Sequence, residues 1–552
     1  MRRTLLLAAL AATTAATPLL ARTPAKPTPP AEAPPRPNII VILVDDMGFS
    51  DFGSYGGEIP TPNIDALAKD GLRFTQFYNN ARCSPTRAAL LTGLNPHQAG
   101  MGYLSGLRLP QSRGTHGQLH PRAVTIPQVL REAGYFTAMA GKWHLGNTPG
   151  TTPVARGFDR SLSAIAGGIY YPKQAARSDA GTRTLLVDGR PIRTDDPMLG
   201  KDWYGTDLWT QWGMKFADEA QAKKKPFFLY LAHVAPHFPL MAPEADIARF
   251  RGKYMAGWDQ LRRERHARQQ QMGLIGPHKG LTPRPQSATE WDSLAPAQRE
   301  RFDAMMAVYA AAVARVDKSV GDLVAHLRER KMLDNTLILI MSDNGGNAES
   351  GPRGRTGPAP WGGPQSNVFV GMNWAMLQNT PFRSFKHFTA EGGIATPLIA
   401  HWPRGIAAKL RGSFERTPGH VIDVMPSLVQ LAGARYPARF GGHAILPMEG
   451  ASLVPAFTGG QIERRQPLFW EHEGNKAVRD GQWKAVQRLA GPWELYDMAA
   501  DRTELRDLAK HEPARLKAMI AAWDDWAART FVDEWHEKAA RTDWGAPMGS
   551  DD

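Results

Sequence analysis

Asn38-Ile39-Ile40-Val41-Ile42-Leu43-Val44-Asp45-Asp46-Met47-Gly48 is an unbroken apolar run that stops at two acids. Apolar residues at every position, with no alternation, describe a strand covered on both faces, as in the middle of a parallel sheet. Two adjacent acids after a strand usually make a solvated turn. At the carboxyl end of a buried strand, however, they lie where open α/β sheets place their ligands.

The same strand-then-chemistry pattern recurs along the chain. A helix opening on Pro60-Thr61-Pro62-Asn63 and ended by Gly71 precedes a strand over 72–78 that leads into Cys83. A capped helix over 125–133, ended by Gly134, precedes a strand over 135–140 and then Gly141-Lys142-Trp143-His144-Leu145-Gly146. Lys142 and His144 project the same way if strand geometry continues through them. Residues 226–232 form another buried strand, running into His233-Val234-Ala235-Pro236-His237-Phe238-Pro239. The prolines there predict a stiff loop presenting His237, with His233 as a packing residue. A strand over 336–341 ends in Ser342-Asp343-Asn344-Gly345-Gly346. A Gly-rich loop over 345–379 then leads to Phe382-Arg383-Ser384-Phe385-Lys386, and 397–400 is a short strand.

Other stretches read as scaffold. Residues 252–292 carry no strand pattern and look like an insertion, and the Arg-dense segment 251–268 reads as a solvated helix face. Phe302, Met306, Tyr309, Val313, Val316, Val320, Leu323 and Leu327 recur at spacings of three and four, which predicts one long amphipathic helix serving only the core. Residues 423–431 form a helix ended by Gly433. In the tail, 477–486 is a hairpin turning at Asp480-Gly481, 493–497 a strand and 513–527 a helix. The fold class is therefore α/β: a large mixed, mostly parallel sheet sandwiched by helices, with a small C-terminal antiparallel α+β subdomain.

Met1-Arg2-Arg3 and the apolar run that follows read as a secretory signal peptide over 1–22, with Ala16 and Ala21 both open as cleavage points. The run is too short for a stable membrane anchor, and no later stretch reaches about 20 consecutive apolar residues. A Pro/Ala tether over 23–37 follows. The chain is thus expected to be exported, periplasmic or secreted. Its net charge of +13 comes with no basic stripe interleaved with aromatics, so nucleic acid is not an expected partner. A modest pull on anionic substrates is what that charge supports. The single cysteine rules out intramolecular disulfides and lipid attachment at the leader.

That cysteine lies in Cys83-Ser84-Pro85-Thr86-Arg87-Ala88-Ala89-Leu90-Leu91-Thr92-Gly93. Pro85 suits a first helical turn, Ser84 can cap it, and Cys83 and Arg87 then lie near backbone N–H groups that attract anions. A lone cysteine beside a helix start is ordinarily an inert buried thiol. Its neighbours here change the reading. Cys-x-Pro-x-Arg followed by Leu-Thr-Gly resembles the signature of the type I sulfatases of the alkaline phosphatase superfamily, as do Gly-Lys-Trp-His-Leu-Gly, Ser-Asp-Asn-Gly and the Leu-Tyr-Asp of the tail. The resemblance runs from about residue 38 to about 510 and looks closest to bacterial periplasmic arylsulfatases.

That resemblance implies an alkaline phosphatase-like catalytic domain over 38–438 and a C-terminal subdomain over 439–545. It implies that a maturation enzyme oxidises Cys83 to formylglycine (3-oxoalanine), whose hydrate offers two geminal hydroxyls. Asp45, Asp46, Asp343 and Asn344, with residue 83, would bind one divalent cation; oxygen ligands favour a hard ion, Ca²⁺ ahead of Mg²⁺. Arg87 would hold the residue-83 group, Lys142 and Lys386 the sulfate oxygens. His237 would protonate the leaving group, and His144 would take the proton whose loss expels sulfate. The substrate implied is a small-molecule sulfate ester, an aryl sulfate first and a sulfated carbohydrate second. Two other readings stand beside it: a phosphonate or phosphate ester hydrolase of the same superfamily, and a non-enzymatic Ca²⁺-binding protein with Cys83 unmodified. Tyr170, Tyr171, Trp203 and Trp374 are placed near the mouth of the site.

Overall fold

The run at 38–44 becomes strand β1 (Asn38–Val44), and Ile39 to Val44 are buried on both faces. The computed structural model describes residues 36–174, 183–276, 280–358 and 360–535. The expected leader, nearly all of the tether and the end of the expected C-terminal subdomain lie outside the described residues.

β1 is central because ten more strands assemble around it. They are β2 (Leu72–Tyr78), β3 (Phe136–Lys142), β4 (Arg160–Ala164), β5 (Thr184–Val187), β6 (Arg190–Arg193), β7 (Phe227–Ala232), β8 (Thr336–Ser342), β9 (Ala395–His401), β10 (Phe414–Glu415) and β11 (Gly419–His420). Their order is β10-β2-β9-β8-β1-β7-β3-β4-β5-β6, with β11 also pairing with β2. β1 runs parallel to β7 and β8, and β3 runs parallel to β7 and β4. β9 is antiparallel to both β8 and β2, so β2 points the same way as β8. The carboxyl ends of β1, β2, β3, β7 and β8 therefore share one edge, and the chain entering β9 starts from that edge too.

Helices cover both faces. The longest, Pro296–Glu329, buries every member of the predicted stripe. One member does more than pack: the Tyr309 hydroxyl donates to Asp51 Oδ2 at 2.7 Å. The predicted loop over 345–379 contains a helix, Met372–Gln378, all of it buried. β4, β5 and β6 lie in a stretch for which the sequence suggests no strand.

The Arg-dense segment departs from expectation. Residues 257–271 are helical, but Arg265 is fully buried and Arg262 nearly so. Arg265 donates to Asp51 Oδ1 (2.9 Å), Glu58 Oε2 (2.7 Å), Ser50 Oγ (3.1 Å) and the Leu377 carbonyl (2.9 Å). The planar guanidinium fork can satisfy two carboxylates at once, which makes its burial tolerable. This helix is thus a lid on the loop that follows β1 rather than a solvated face.

Past a two-stranded ribbon, β12 (Arg439–Phe440) and β13 (His443–Ala444), a second sheet forms from β14 (Leu468–His472), β15 (Asn475–Asp480), β16 (Trp483–Gln487) and β17 (Trp493–Asp497). It is an antiparallel meander in that order. Gly481 takes the left-handed turn position (φ +55°) of the predicted hairpin. Met519, Trp523 and Trp526 of helix Pro513–Arg529 pack on Phe469, Val478, Ala485 and Leu495. On the side of this sheet toward the main one, the buried Lys484 ammonium pairs with Glu391 (2.9 Å) and Glu504 (2.7 Å). Glu391 also accepts from Arg502, and Glu504 from Arg383.

Removing one partner of a buried ion pair strands the other, which costs about 3–5 kcal/mol. Arg265→Met should accordingly lower the thermal unfolding midpoint clearly, while Lys318→Ala, at an exposed pair with Asp322, should leave the melting curve unchanged. Equal effects of the two would show that Arg265 does not clamp the loop.

Candidate active site

The shared edge collects the chemistry. The Cys83–Thr92 helix starts two residues before Pro85, with Cys83 in its first turn and Gly93 (φ +67°) closing it. Ser84 is not its cap. The Ser84 hydroxyl donates to the His144 carbonyl (2.8 Å) and accepts from the Ser105 N–H (3.1 Å), tying the helix start to the β3 loop. Cys83 is 1% exposed, and burial pushes its thiol up to about 12. An unmodified Cys83 is thus a neutral thiol at physiological pH.

Register places the acids. Val44 pairs with Ser342 and Leu43 with Ala232, so Asp45-Asp46, Asp343-Asn344 and the His233–His237 loop emerge side by side. Asp46 adopts φ +65°, turning its carboxylate under its neighbours; its N–H donates to Asp343 Oδ1 at 3.3 Å. Three cations answer the three carboxylates. Lys142 Nζ meets Asp45 Oδ2 at 2.6 Å, and Lys386 Nζ meets Asp46 Oδ1 at 2.8 Å. Arg87 donates to Asp343 Oδ2 through Nη2 (2.7 Å) and Nε (3.0 Å), and to the Lys142 carbonyl. Burial works to raise the Asp46 carboxyl, but Lys386 and His237 outweigh it and hold it well below the usual range. Asp343 is pushed up by burial and by the Asp45 charge.

Two oxygens at the centre have no hydrogen-bond partner although they are buried, Asp45 Oδ1 and Asn344 Oδ1. Single ligand atoms of Asp45, Asp46, Cys83 and His237 lie within 4.8 Å of one another. Unsatisfied oxygens among hard donors are what a hard divalent cation requires, so the donor set fits such an ion. His237 belongs to this group by distance. Asp343 instead turns one oxygen to Arg87, and Asn344 donates to Asp46 Oδ1 (2.8 Å).

The histidines differ in setting. β3 ends at Lys142, and His144 lies in the left-handed region (φ +59°), so strand geometry does not carry through the pair. His144 Nδ1 has no partner, and burial with the Lys142 and Arg87 charges keeps the ring neutral, well below its ordinary pKa. Burial lowers His237 to about 3; its Nδ1 lies 2.5 Å from the Phe238 carbonyl, and its Nε2 is 3.6 Å from Asp46. His233 packs against the long helix near Ser319, as expected of it.

The aromatics are placed differently from expectation. Trp374 is fully buried and packs edge-on against Trp258 and Tyr254, away from any mouth. Tyr170 buttresses the His237 loop by donating to the Val234 carbonyl at 3.3 Å, and Trp203 is buried with its indole N–H on the Thr194 carbonyl. Tyr171 is only partly buried and packs on Tyr204. The sequence reading missed Asn347, which donates to Asp46 Oδ2 (2.7 Å), and Glu349, which meets Lys386 (3.1 Å). It also missed Arg82, His387, His472 and Glu473, which gather beside Lys386. Only adjacency to Cys83 and Lys386 could have marked Arg82 and His387.

The sulfatase family model matches residues 37–434. The chain is 36% identical over 451 residues to an arylsulfatase of Klebsiella aerogenes, covering 78% of this chain and 94% of that one. It is 34% identical over 531 residues to an uncharacterized sulfatase of Schizosaccharomyces pombe, covering 90% and 94%. A crystal structure of Ps i-CgsB in complex with k-i-k-neocarrahexaose superposes with a TM-score of 0.67 at 28% identity, covering 92% of this chain and 97% of that one. Sheet order, the Cys83 pocket and these matches lead to one conclusion: the chain belongs to the sulfatase family, hydrolases of sulfuric esters on an alkaline phosphatase-like fold.

Proposed function

We propose that this sulfatase is of the arylsulfatase type and works through a formylglycine made from Cys83 beside one divalent cation, Ca²⁺. What supports this most is the buried cluster in which three carboxylates and three cations cancel around Cys83, leaving two oxygens unsatisfied. Asp45, Asp46, Asp343, Asn344 and residue 83 would hold the ion. When bound, it supplies Lewis-acid polarisation of a sulfate oxygen. The hydrated aldehyde, when formed, supplies two geminal hydroxyls, one to attack sulfur and one to release sulfate.

The remaining roles fall to side chains already described. With Asp45 and Asp46 serving as metal ligands, Lys142 and Lys386 would turn their ammonium groups to the sulfate oxygens. Arg87, held on Asp343 and the Lys142 carbonyl, fixes the residue-83 side chain. His237, whose ring nitrogen lies within 4.8 Å of the Cys83 sulfur, serves the leaving oxygen. Its pKa of about 3 belongs to the ligand-free site, and an adjacent sulfate anion raises it, so that the ring can carry a proton to the departing alcohol. His144, kept neutral, is poised to accept a proton from residue 83. One cation fits a sulfate monoester, which carries a single negative charge, better than a phosphate dianion. Aryl sulfates are the first substrates in this reading because a phenol leaves readily; sulfated carbohydrates come second. The maturation enzyme and an exported, periplasmic location complete the proposal. Among the described residues no helix is long and apolar enough to cross a membrane.

Three outcomes check it. Chelation should abolish turnover and readdition of Ca²⁺ restore it, and Asp343→Ala should lose both bound metal, by elemental analysis, and activity; metal-free protein at full activity would exclude the ion. The peptide containing Cys83 should show the mass loss of conversion to formylglycine in proportion to specific activity, with Cys83→Ala folded but inactive. Full turnover by wholly unconverted protein would falsify this chemistry. His237→Ala should slow esters of poor leaving groups far more than nitrophenyl-type esters, since a good leaving group needs little protonation. A uniform loss across the series would count against His237 as the acid.

A further inference from the structure

Beside the sulfate pocket lies a second polar cluster that none of these steps uses. Arg82, the residue before Cys83, reaches Glu349 (3.5 Å) and Glu473 (3.8 Å) and lies against the His387 ring. His387 meets Glu473 through Nδ1 (2.7 Å) and Glu349 through Nε2 (3.2 Å). Glu349 also meets Lys386 Nζ, so the cluster is one ion pair away from that lysine. His472 stacks on Tyr103, with ring centroids 5.7 Å apart, and Trp535 packs on Tyr103 at 5.1 Å. The polar groups come from four separate segments, the last being the β14–β15 turn, and Tyr103 and Trp535 from two more. His387 (φ +86°) and Glu473 (φ +52°) both take left-handed backbone that side chains disfavour and that surrounding structure must enforce.

The cluster is incomplete in hydrogen bonding. His472 Nδ1 and Arg82 Nε are buried without a hydrogen-bond partner, His472 Nε2 faces Glu473 Oε1 only at 3.5 Å, and His472 is 1% exposed. Glu349 and His387 keep partial exposure, so the group opens toward solvent. Two histidines and a carboxylate can also bind a metal. Here the Arg82 guanidinium already sits against His387, and a fixed positive charge opposes a second cation. Glu349 and Glu473 in turn oppose a second anion, as does Glu471, which pairs with His97 nearby (2.8 Å). What suits the set is an uncharged group whose hydroxyls both donate and accept, with aromatic rings to pack against.

We infer that Arg82, Glu349, His387, His472 and Glu473, walled by Tyr103 and Trp535, form the subsite for the alcohol half of the substrate and select sulfate esters of neutral polyhydroxy alcohols against those carrying a second anion. This rests on the sulfatase reading above and moves its preference from aryl to sugar-like alcohols. An aryl sulfate has no hydroxyls to meet the cluster and so serves as the reference.

The test uses full-length protein with converted residue 83 on galactose 6-sulfate, a galactose disulfate and nitrophenyl sulfate, for wild type, Glu473→Gln and His472→Phe. In both variants the kcat/KM for galactose 6-sulfate relative to nitrophenyl sulfate should fall about tenfold or more, chiefly through KM. Wild type should prefer the monosulfate to the disulfate by about tenfold or more, and Glu473→Gln should narrow that preference. His472→Phe keeps the ring stacked on Tyr103 and carries the comparison if Glu473→Gln does not fold. Equal losses on both esters, no loss on either, a preference for the disulfate, or wild type cleaving nitrophenyl sulfate but not galactose 6-sulfate would each overturn the subsite. Wild type cleaving neither would instead overturn the sulfatase reading beneath it.

Discussion

Three carboxylates cannot share a water-free pocket unless something neutralises them, because an isolated buried charge costs far more than a fold can spare. Here Arg87, Lys142 and Lys386 provide that neutrality, each from a different part of the chain: the helix after β2, the end of β3 and the loop before β9. The ion pairs therefore fix relative positions across the middle of the sheet, from β2 to β3. They also explain why the site suits an anion plus a divalent cation. On the proposed function, a divalent cation held by Asp45 and Asp46 would leave the two lysines to meet the oxygens of a sulfate ester.

Much of this is legible in the sequence, for a physical reason. A strand covered on both faces must be apolar throughout, so 38–44 and 336–341 identify themselves, and the first polar residues after them mark one edge. The direction of β2 and the approach to β9 are not legible, since β9 runs against its neighbours and no local pattern reveals it. Lys386 therefore entered through family resemblance alone. Arg265 shows the converse failure: a segment dense in Arg reads as solvated, because its partners Asp51 and Glu58 lie about two hundred residues earlier. Trp374 misled in the same way, since a large aromatic reads alike at a mouth and in a core. His144 defeated the periodicity argument because a single left-handed residue ends the alternation.

The C-terminal sheet adds more than bulk. Its Lys484 locks Glu391 and Glu504, Glu504 holds Arg383, and Arg383 begins the loop that carries Lys386 and His387. The turn between β14 and β15 then brings Glu473 against His387. On the proposed reading, the main sheet would supply the groups for sulfate and the second sheet would shape what lies beyond it.

The burial of Cys83 sets a schedule as well as a shape. Its helix is wholly buried, and the two strands that flank β1, β7 and β8, are made long after residue 83. During synthesis the central sheet has no way to close before Ser342 has left the ribosome, and the lysine-bearing loop comes later still. Through that interval the thiol stands in an unfinished chain, open to any enzyme that must rewrite it. Once the sheet closes, a side chain 1% exposed is out of reach of a second active site. If Cys83 is converted as proposed, a topology that delays its own completion keeps that residue accessible for as long as the conversion can be made.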